Sequence, residues 1–200
     1  MEQLRCFIAI KLPEEIKAGL SRLQAQLKSG KQSSVKWVDP YSTHLTLKFL
    51  GNVNLDMTSQ ITEAIGEAAQ GASPFHLEIK GLGVFPNPRR VQVIWVGISG
   101  EVDRLLQLQK GIESALARLG FAPEARAFTP HLTLARVRDQ ASPDERQKLG
   151  ELIAGTKFEA EYTFPVEALS LMRSQLTREG AIYSQISAIE LGKPLSTTAV

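Results

Sequence analysis

The sequence predicts a mixed helix–strand fold assembled from two similar lobes, and three observations predict it. Strand-like and helix-like hydrophobic periods alternate along the chain. The tetrapeptide His-Leu-Thr-Leu occurs twice, at 44–47 and at 131–134, an offset of 87 positions. The same offset superimposes further segments without a gap. It lays Phe7-Ile8-Ala9-Ile10 on Ile94-Trp95-Val96-Gly97 and Glu14 on Glu101, and it lays Leu77, Ile79, Leu82 and Val84 on Phe164, Val166, Leu169 and Leu171. Internal repetition of this kind predicts two β-α-β-α-β units, about 4–90 and 91–177, with one added C-terminal strand. Together they form a single bilobal domain over 1–191, related by a pseudo-twofold axis, with a central cleft and a flexible tail over 192–200.

Each element has a local reason. Residues 4–11 are apolar and bounded by Pro13, as a buried strand requires. Pro13 opens a helix with Glu14 and Glu15 in its first turn and Ile16, Leu20, Leu23 and Leu27 on one face. Residues 29–34 read as a loop and 35–38 as a short strand. After the first tetrapeptide strand, Met57, Ile61, Ile65 and Ala68 form the apolar stripe of a second helix that ends at Gly71. Strands follow at 75–85 and 91–98, joined by Pro86-Asn87-Pro88-Arg89-Arg90, and then a third helix from about Glu101 to Leu119. Ser142-Pro143-Asp144-Glu145, beyond the second tetrapeptide, is a capping box that opens a fourth helix. Strands at about 158–164, 166–173 and 181–189 complete the chain.

Composition narrows the function. Apolar residues make up 43% and charged residues 22% of 200 positions, which is ordinary for a globular domain. No apolar run approaches the roughly 20 residues needed to span a bilayer, so no membrane association is expected. One cysteine, Cys6, cannot form an internal disulfide, and a cytoplasmic location is the expectation. The net charge of +2 does not describe a strongly basic nucleic-acid coat.

Two of the three histidines head the repeated tetrapeptides. Strand alternation places His44, Thr46 and Lys48 on one face, with Leu45, Leu47 and Phe49 on the other. Taken singly, a strand histidine beside core leucines is usually structural. Taken as a duplicated pair, His44 and His131 suit concerted acid–base work, one imidazole accepting a proton while the other donates one. Thr46 and Thr133 lie on the same faces, about 7 Å along each strand. From there they can donate hydrogen bonds to one bound anion from both sides. Opposed imidazoles and paired donors around a tetrahedral centre suit a phosphodiester, and the residues alone do not say which histidine is the acid.

The segments HLTLKFLG and PHLTLARV resemble the paired H-x-T-x signatures of the two-histidine phosphoesterase superfamily. More narrowly the chain is similar to its RNA 2′,3′-cyclic phosphodiesterase group, also called 2′-5′ RNA ligase-like. RCFIAIKLP, GLGVFPNPRRVQVIWVGI and LSLMRSQLTREGAIY extend the resemblance over nearly the whole chain. It implies an α+β fold with an antiparallel sheet in each lobe and flanking helices. It also implies no metal, no cofactor, and hydrolysis of a terminal 2′,3′-cyclic phosphate of RNA to a 2′-phosphomonoester. It makes His44 the proton donor and His131 the acceptor. It adds Arg136 as a phosphate contact and Tyr183 as a substrate-side aromatic. Ligation of 2′,3′-cyclic and 5′-hydroxyl ends, a small-molecule cyclic phosphodiesterase and a non-catalytic RNA-binding module are the alternatives.

Other residues carry weaker signals. A zinc site needs three or four ligands, and only His76 and Cys6 remain to supply them, so no metal is expected. His76 reads as structural or exposed, and a monomer is expected. Lys48 has Ala135 as its counterpart and reads as a solvated lysine. Strict alternation turns Arg136 away from His131, and only a bulge or strand end would bring it round. Arg89 and Arg90 are either solvated turn residues or RNA-backbone contacts. Trp37, Phe49, Trp95 and Tyr183 are aromatic candidates for stacking a base, with Trp95, in VIWV, read as core.

Overall fold

A computed structural model describes residues 2–28, 33–158, 162–178 and 180–193. Its elements run β1 (Gln3–Lys11), α1 (Glu14–Leu27), β2 (Val35–Trp37), β3 (His44–Asn54), α2 (Thr58–Gln70), β4 (Phe75–Phe85) and β5 (Val93–Gly100). They continue with α3 (Val102–Ala117), β6 (His131–Val137), α4 (Pro143–Gly155), β7 (Tyr162–Val166), β8 (Ala168–Leu176) and β9 (Ala181–Glu190). The expected elements are therefore present, most boundaries shifting by only a few residues. Much of the loop expected at 29–34, the beginning of the strand expected at 158–164 and most of the expected tail at 192–200 lie outside the described residues. The capping box forms as read, with the Ser142 hydroxyl accepting from the Glu145 amide. Among the described residues no helix is long and apolar enough to cross a membrane.

Two sheets carry the fold, one ordered β3-β1-β8-β9 and the other β2-β6-β5-β4-β7. Every strand pairing in them is antiparallel. One continuous apolar core includes residues of both sheets and all four helices, with Leu45, Leu47, Leu132 and Leu134 of the two motif strands inside it. Phe7, Ala9 and Met172 form a second, small cluster outside it, with Tyr183 packed alongside.

The sheet boundaries do not coincide with the repeat boundaries. Strand β4 of the first repeat lies in the sheet of the second, and β8 of the second lies beside β1 of the first. The exchange is centred on the β4–β7 pairing, in which Leu77 is the direct partner of Phe164. These are positions that the 87-residue offset equates, so a local twofold axis passes through their pair. Both are fully buried.

The strand register corrects the gapless alignment. On β1, Lys11, Ile10 and Ala9 pair with His44, Leu45 and Thr46. On β5, Gly97, Val96 and Trp95 pair with His131, Leu132 and Thr133. The first strands therefore correspond at an offset of 86, and one residue has been gained between strand and helix by the time Glu14 matches Glu101. An apolar strand aligns with itself almost as well one residue out, so sequence alone could not fix this.

Both motif strands carry a β-bulge at the same place. Ile8 pairs with Lys48 and Ala9 with Thr46, leaving Leu47 as the extra residue. Ile94 pairs with Ala135 and Trp95 with Thr133, leaving Leu134 as the extra residue. A bulge reverses the alternation beyond it. This overturns the sequence reading of β3: Lys48 turns into the protein at 3% exposure, and Phe49 turns outward at 60%. In β6 the same inversion buries Ala135 and exposes Arg136.

Buried polar side chains fasten each bulge to a helix of the other repeat. The Lys48 ammonium donates to Glu113 of α3 at 2.7 Å and to the Ala122 carbonyl at 2.8 Å. The amide of Gln24 on α1 donates to the Leu134 carbonyl at 3.2 Å and to the Val38 carbonyl at 2.7 Å. The Leu134 carbonyl, lifted out of the β5 ladder, also accepts the Val38 amide at 2.9 Å, so two donors satisfy it. Lys48→Ala leaves Glu113 largely buried without its cation, so it should lower the unfolding free energy by about 3 kcal/mol. The double variant Lys48→Met, Glu113→Leu should recover most of that loss. Denaturant unfolding of the two variants measures both, and a neutral Lys48→Ala would return Lys48 to the solvated role that strict alternation assigns it.

Candidate active site

The site is built from the face of each sheet turned away from the main core. On the first sheet this face carries His44 and Thr46, with Ala9 directly across from Thr46. On the second it carries His131 and Thr133, with Trp95 directly across from Thr133. Strands β3 and β6 are in contact, which brings the two motif strands together from different sheets. Neither threonine hydroxyl makes a hydrogen bond to another described residue, so both are available to a ligand.

The two imidazoles are held in the same way. His44 Nδ1 donates to the Ser42 carbonyl at 3.0 Å, and His131 Nδ1 donates to the Thr129 carbonyl at 2.7 Å. A carbonyl can only accept, so each Nδ1 carries a proton and each Nε2 is left as the reactive nitrogen. In the neutral ring that Nε2 is a base, and in the charged ring it is an acid.

Their surroundings differ. The His44 ring stacks on Phe7 at 4.6 Å between centroids and meets the Tyr183 ring edge-on at 4.9 Å. Burial holds the His44 pKa below the ordinary histidine value, opposed in part by the bond to Ser42. His131 meets Phe85 edge-on at 5.0 Å and has Trp95 at 6.3 Å.

The remaining candidates separate clearly. Tyr183 of β9 touches Phe7 and His44, beside the site. Exposed Phe49 lies 6.1 Å from Phe7 on the same face. Arg136 is turned by the bulge onto the side of His131 and Thr133. Trp95 is not a core residue, contrary to the sequence reading. It pairs with Thr133 on the outer face, its indole lying so close over Gly83 that a side chain there would clash at 2.2 Å. Trp37 packs against the core and under the Lys28 ammonium instead, so it is not brought to the site. Arg89 and Arg90 occupy the exposed β4–β5 turn, where Asn87 Oδ1 accepts from the Arg89 amide. His76 is exposed near Glu101. Among the described residues no group of three or more His, Cys, Asp or Glu could hold a metal ion. Phe7 and Phe85 escaped the sequence reading. The signal for Phe7 was its placement two residues before Ala9 on the strand partnering β3, usable only once the register was known.

Comparison with known proteins places this architecture. The family model described as LigT like Phosphoesterase matches twice, over residues 10–95 and 96–183. The chain belongs to that family, the two-histidine phosphoesterases. It is 36% identical over 189 residues to the RNA 2′,3′-cyclic phosphodiesterase of Methanothermobacter thermautotrophicus, covering 94% of this chain and 100% of that protein. It is 33% identical over 183 residues to the enzyme of the same name from Methanocaldococcus jannaschii, covering 92% and 98%. Among solved structures, TT0787 of Thermus thermophilus superposes with a TM-score of 0.77 at 26% identity, covering 94% of this chain and 98% of that one. E. coli LigT complexed with 3′-AMP shares the fold, with a TM-score of 0.77 at 24% identity and coverage of 96% and 100%. The duplication, the two antiparallel sheets and the four helices are those of this family.

The depressed His44 pKa has a thermodynamic consequence. The unfolded chain binds a proton at this ring near pH 6.5, more readily than the folded protein does. Stability from this group is complete above that pH and is lost as pH falls towards the folded-state pKa. NMR titration should place the His44 midpoint below the ordinary value. The pH 7 to pH 5 stability loss should be smaller in His44→Asn than in the wild type.

Proposed function

We propose that this protein hydrolyses the 2′,3′-cyclic phosphate at RNA ends to a 2′-phosphomonoester, with His44 and His131 as the acid–base pair. The observation that carries this is the matched anchoring of the two rings. In each, Nδ1–H is tied to the carbonyl two residues upstream, Nε2 is freed, and an unengaged threonine hydroxyl follows on the same face. The relatives named above act on such ends by name, and this reading extends their activity to this chain.

In this reading His131 Nε2 takes a proton from water as its oxygen attacks phosphorus, and His44 Nε2 gives its proton to the departing 3′ oxygen. One P–O bond forms and one breaks, leaving a 3′-hydroxyl and a 2′-phosphate. Solvent exchange then restores the two rings. Thr46 and Thr133 donate to the non-bridging oxygens, where charge accumulates in the pentacoordinate transition state. Arg136 adds a fixed positive charge beside that anion. Phe49 and Tyr183 offer aromatic surface for the terminal base next to His44. In the free protein His44 is mainly neutral near pH 7. The bound phosphate anion then favours its protonated form, as a donor requires. The chain supplies both histidines, so a monomer suffices, and its single buried Cys6 thiol suits a reducing, cytoplasmic setting.

Two experiments test this. His44→Ala and His131→Ala should each cut hydrolysis of a 2′,3′-cyclic-ended oligoribonucleotide by about 10²- to 10⁴-fold, with EDTA without effect. Wild-type turnover surviving either substitution would refute the pair, and excess 5′-hydroxyl RNA would expose ligation as a joined product. The assignment of roles is read from pH. If His44 is the donor, kcat/KM falls as pH rises through its lowered pKa. The residual activity of His131→Ala should then keep only that alkaline limb. A residual activity that falls on the acid side instead would exchange the two roles.

A further inference from the structure

Across the outer face of the second sheet runs a row fixed by strand register: Lys36 of β2, Arg136 of β6, Val93 of β5 and Phe85 of β4. Direct antiparallel partners share a face. Val35 and Trp37 on either side of Lys36 pack against the core, so Lys36 points the other way, alongside Arg136. Neighbouring strands lie about 4.8 Å apart. Two cations stand as immediate cross-strand neighbours, and such a like-charge pair is destabilising on its own. Neither has a carboxylate partner among the described residues that would offset this repulsion. The equivalent row of the first sheet is uncharged, with Phe49, Phe7 and Met172 in register, and among the described residues no strand pairs on the outer side of β3. Within this row the charge is thus confined to one half and directed outward from His131 towards the β2 edge; on the first sheet Lys11, directly across from His44, donates to Gln185 instead.

We propose that Lys36 and Arg136 form a phosphate track for the RNA strand upstream of the reacting end, with Lys36 binding the phosphodiester next to the terminal nucleotide. This rests on the reading of the site as an RNA cyclic phosphodiesterase and adds a substrate preference: an oligonucleotide engages Lys36, and a cyclic mononucleotide cannot. Two cations on adjacent strands match an anion repeating along a chain better than a single phosphate, and in the proposed reaction the single reacting phosphate is assigned to the paired histidines, Thr46 and Thr133.

The test compares wild type, Lys36→Ala and Lys36→Glu on a 2′,3′-cyclic mononucleotide and on a short oligoribonucleotide with the same terminal nucleotide. Lys36→Glu should lower kcat/KM for the oligonucleotide by about tenfold, with Lys36→Ala intermediate. Turnover of the mononucleotide should stay within twofold of wild type. The slope of log kcat/KM against log salt for the oligonucleotide should become shallower by about 0.7 for Lys36→Ala, the loss of one contact to a single strand. Equal effects on both substrates, or none on either, would overturn the track. If wild type turns over neither substrate, the hydrolase reading fails. The track is then judged by fluorescence anisotropy of a labelled oligoribonucleotide. Weaker binding by Lys36→Glu upholds it, and binding equal to wild type in affinity and salt slope rejects it.

Discussion

Two single-residue interruptions of strand pairing, at Leu47 and Leu134, decide what this protein can offer a ligand. Before each bulge a histidine and a threonine face outward. After it the alternation reverses, so the residue that would have entered the core is exposed instead. A regular strand would send Arg136 and Phe49 into the apolar interior and leave Lys48 in solvent. The bulges are kept in place from beneath, by Gln24 on the Leu134 carbonyl and by Lys48 on Glu113. In both cases the supporting helix belongs to the repeat that does not contain the bulge. The geometry of each half is therefore enforced by the other, and the outer face of the motif strands depends on buried polar contacts on the opposite side.

The same frame explains how two equivalent histidines come to differ. Their backbone anchors match, and their neighbours do not. His44 is enclosed by Phe7 and Tyr183, which removes water and disfavours its charge. On the other half the position matching Phe49 is Arg136, and beside it stands Lys36. Along that row one wall is aromatic and the other cationic, although Phe85 and Trp95 also flank His131 and Lys11 lies across from His44. In the proposed reaction the symmetry supplies paired donors around phosphorus, and the departures from it supply direction.

Much of this was legible in the sequence because duplication makes a weak signal strong. A single His-Leu-Thr-Leu is an ordinary strand, whereas two at a fixed offset, with apolar strands and helix starts in step, describe a frame. What stayed hidden was anything that depends on register. The bulges have no residue signature here, since Leu47 and Leu134 are leucines in apolar strands like their neighbours. Lys48 and Phe49 were consequently assigned to the wrong side, and Arg136 depended on an interruption that the sequence could not locate, while Trp95 was read as core because its neighbours in VIWV are apolar. The one-residue shift between β1 and β5 was masked for a related reason, because Ile and Val repeat closely enough that an apolar strand matches itself at neighbouring offsets.

The exchange of β4 and β8 between the sheets bears on how this chain acquires and keeps its shape. Neither repeat can close its own sheet, since β1 needs β8 from beyond the midpoint and β5 needs β4 from before it. Cutting the chain between the repeats would leave two fragments, each with an unpaired central edge, that satisfy one another only by reassembling. A single repeat would meet the same requirement only by pairing with a second copy that lent its last strand, and the Leu77–Phe164 contact marks where the two repeats cross. With both repeats in one chain that requirement is met intramolecularly, and the two histidines occupy matching but unequal surroundings.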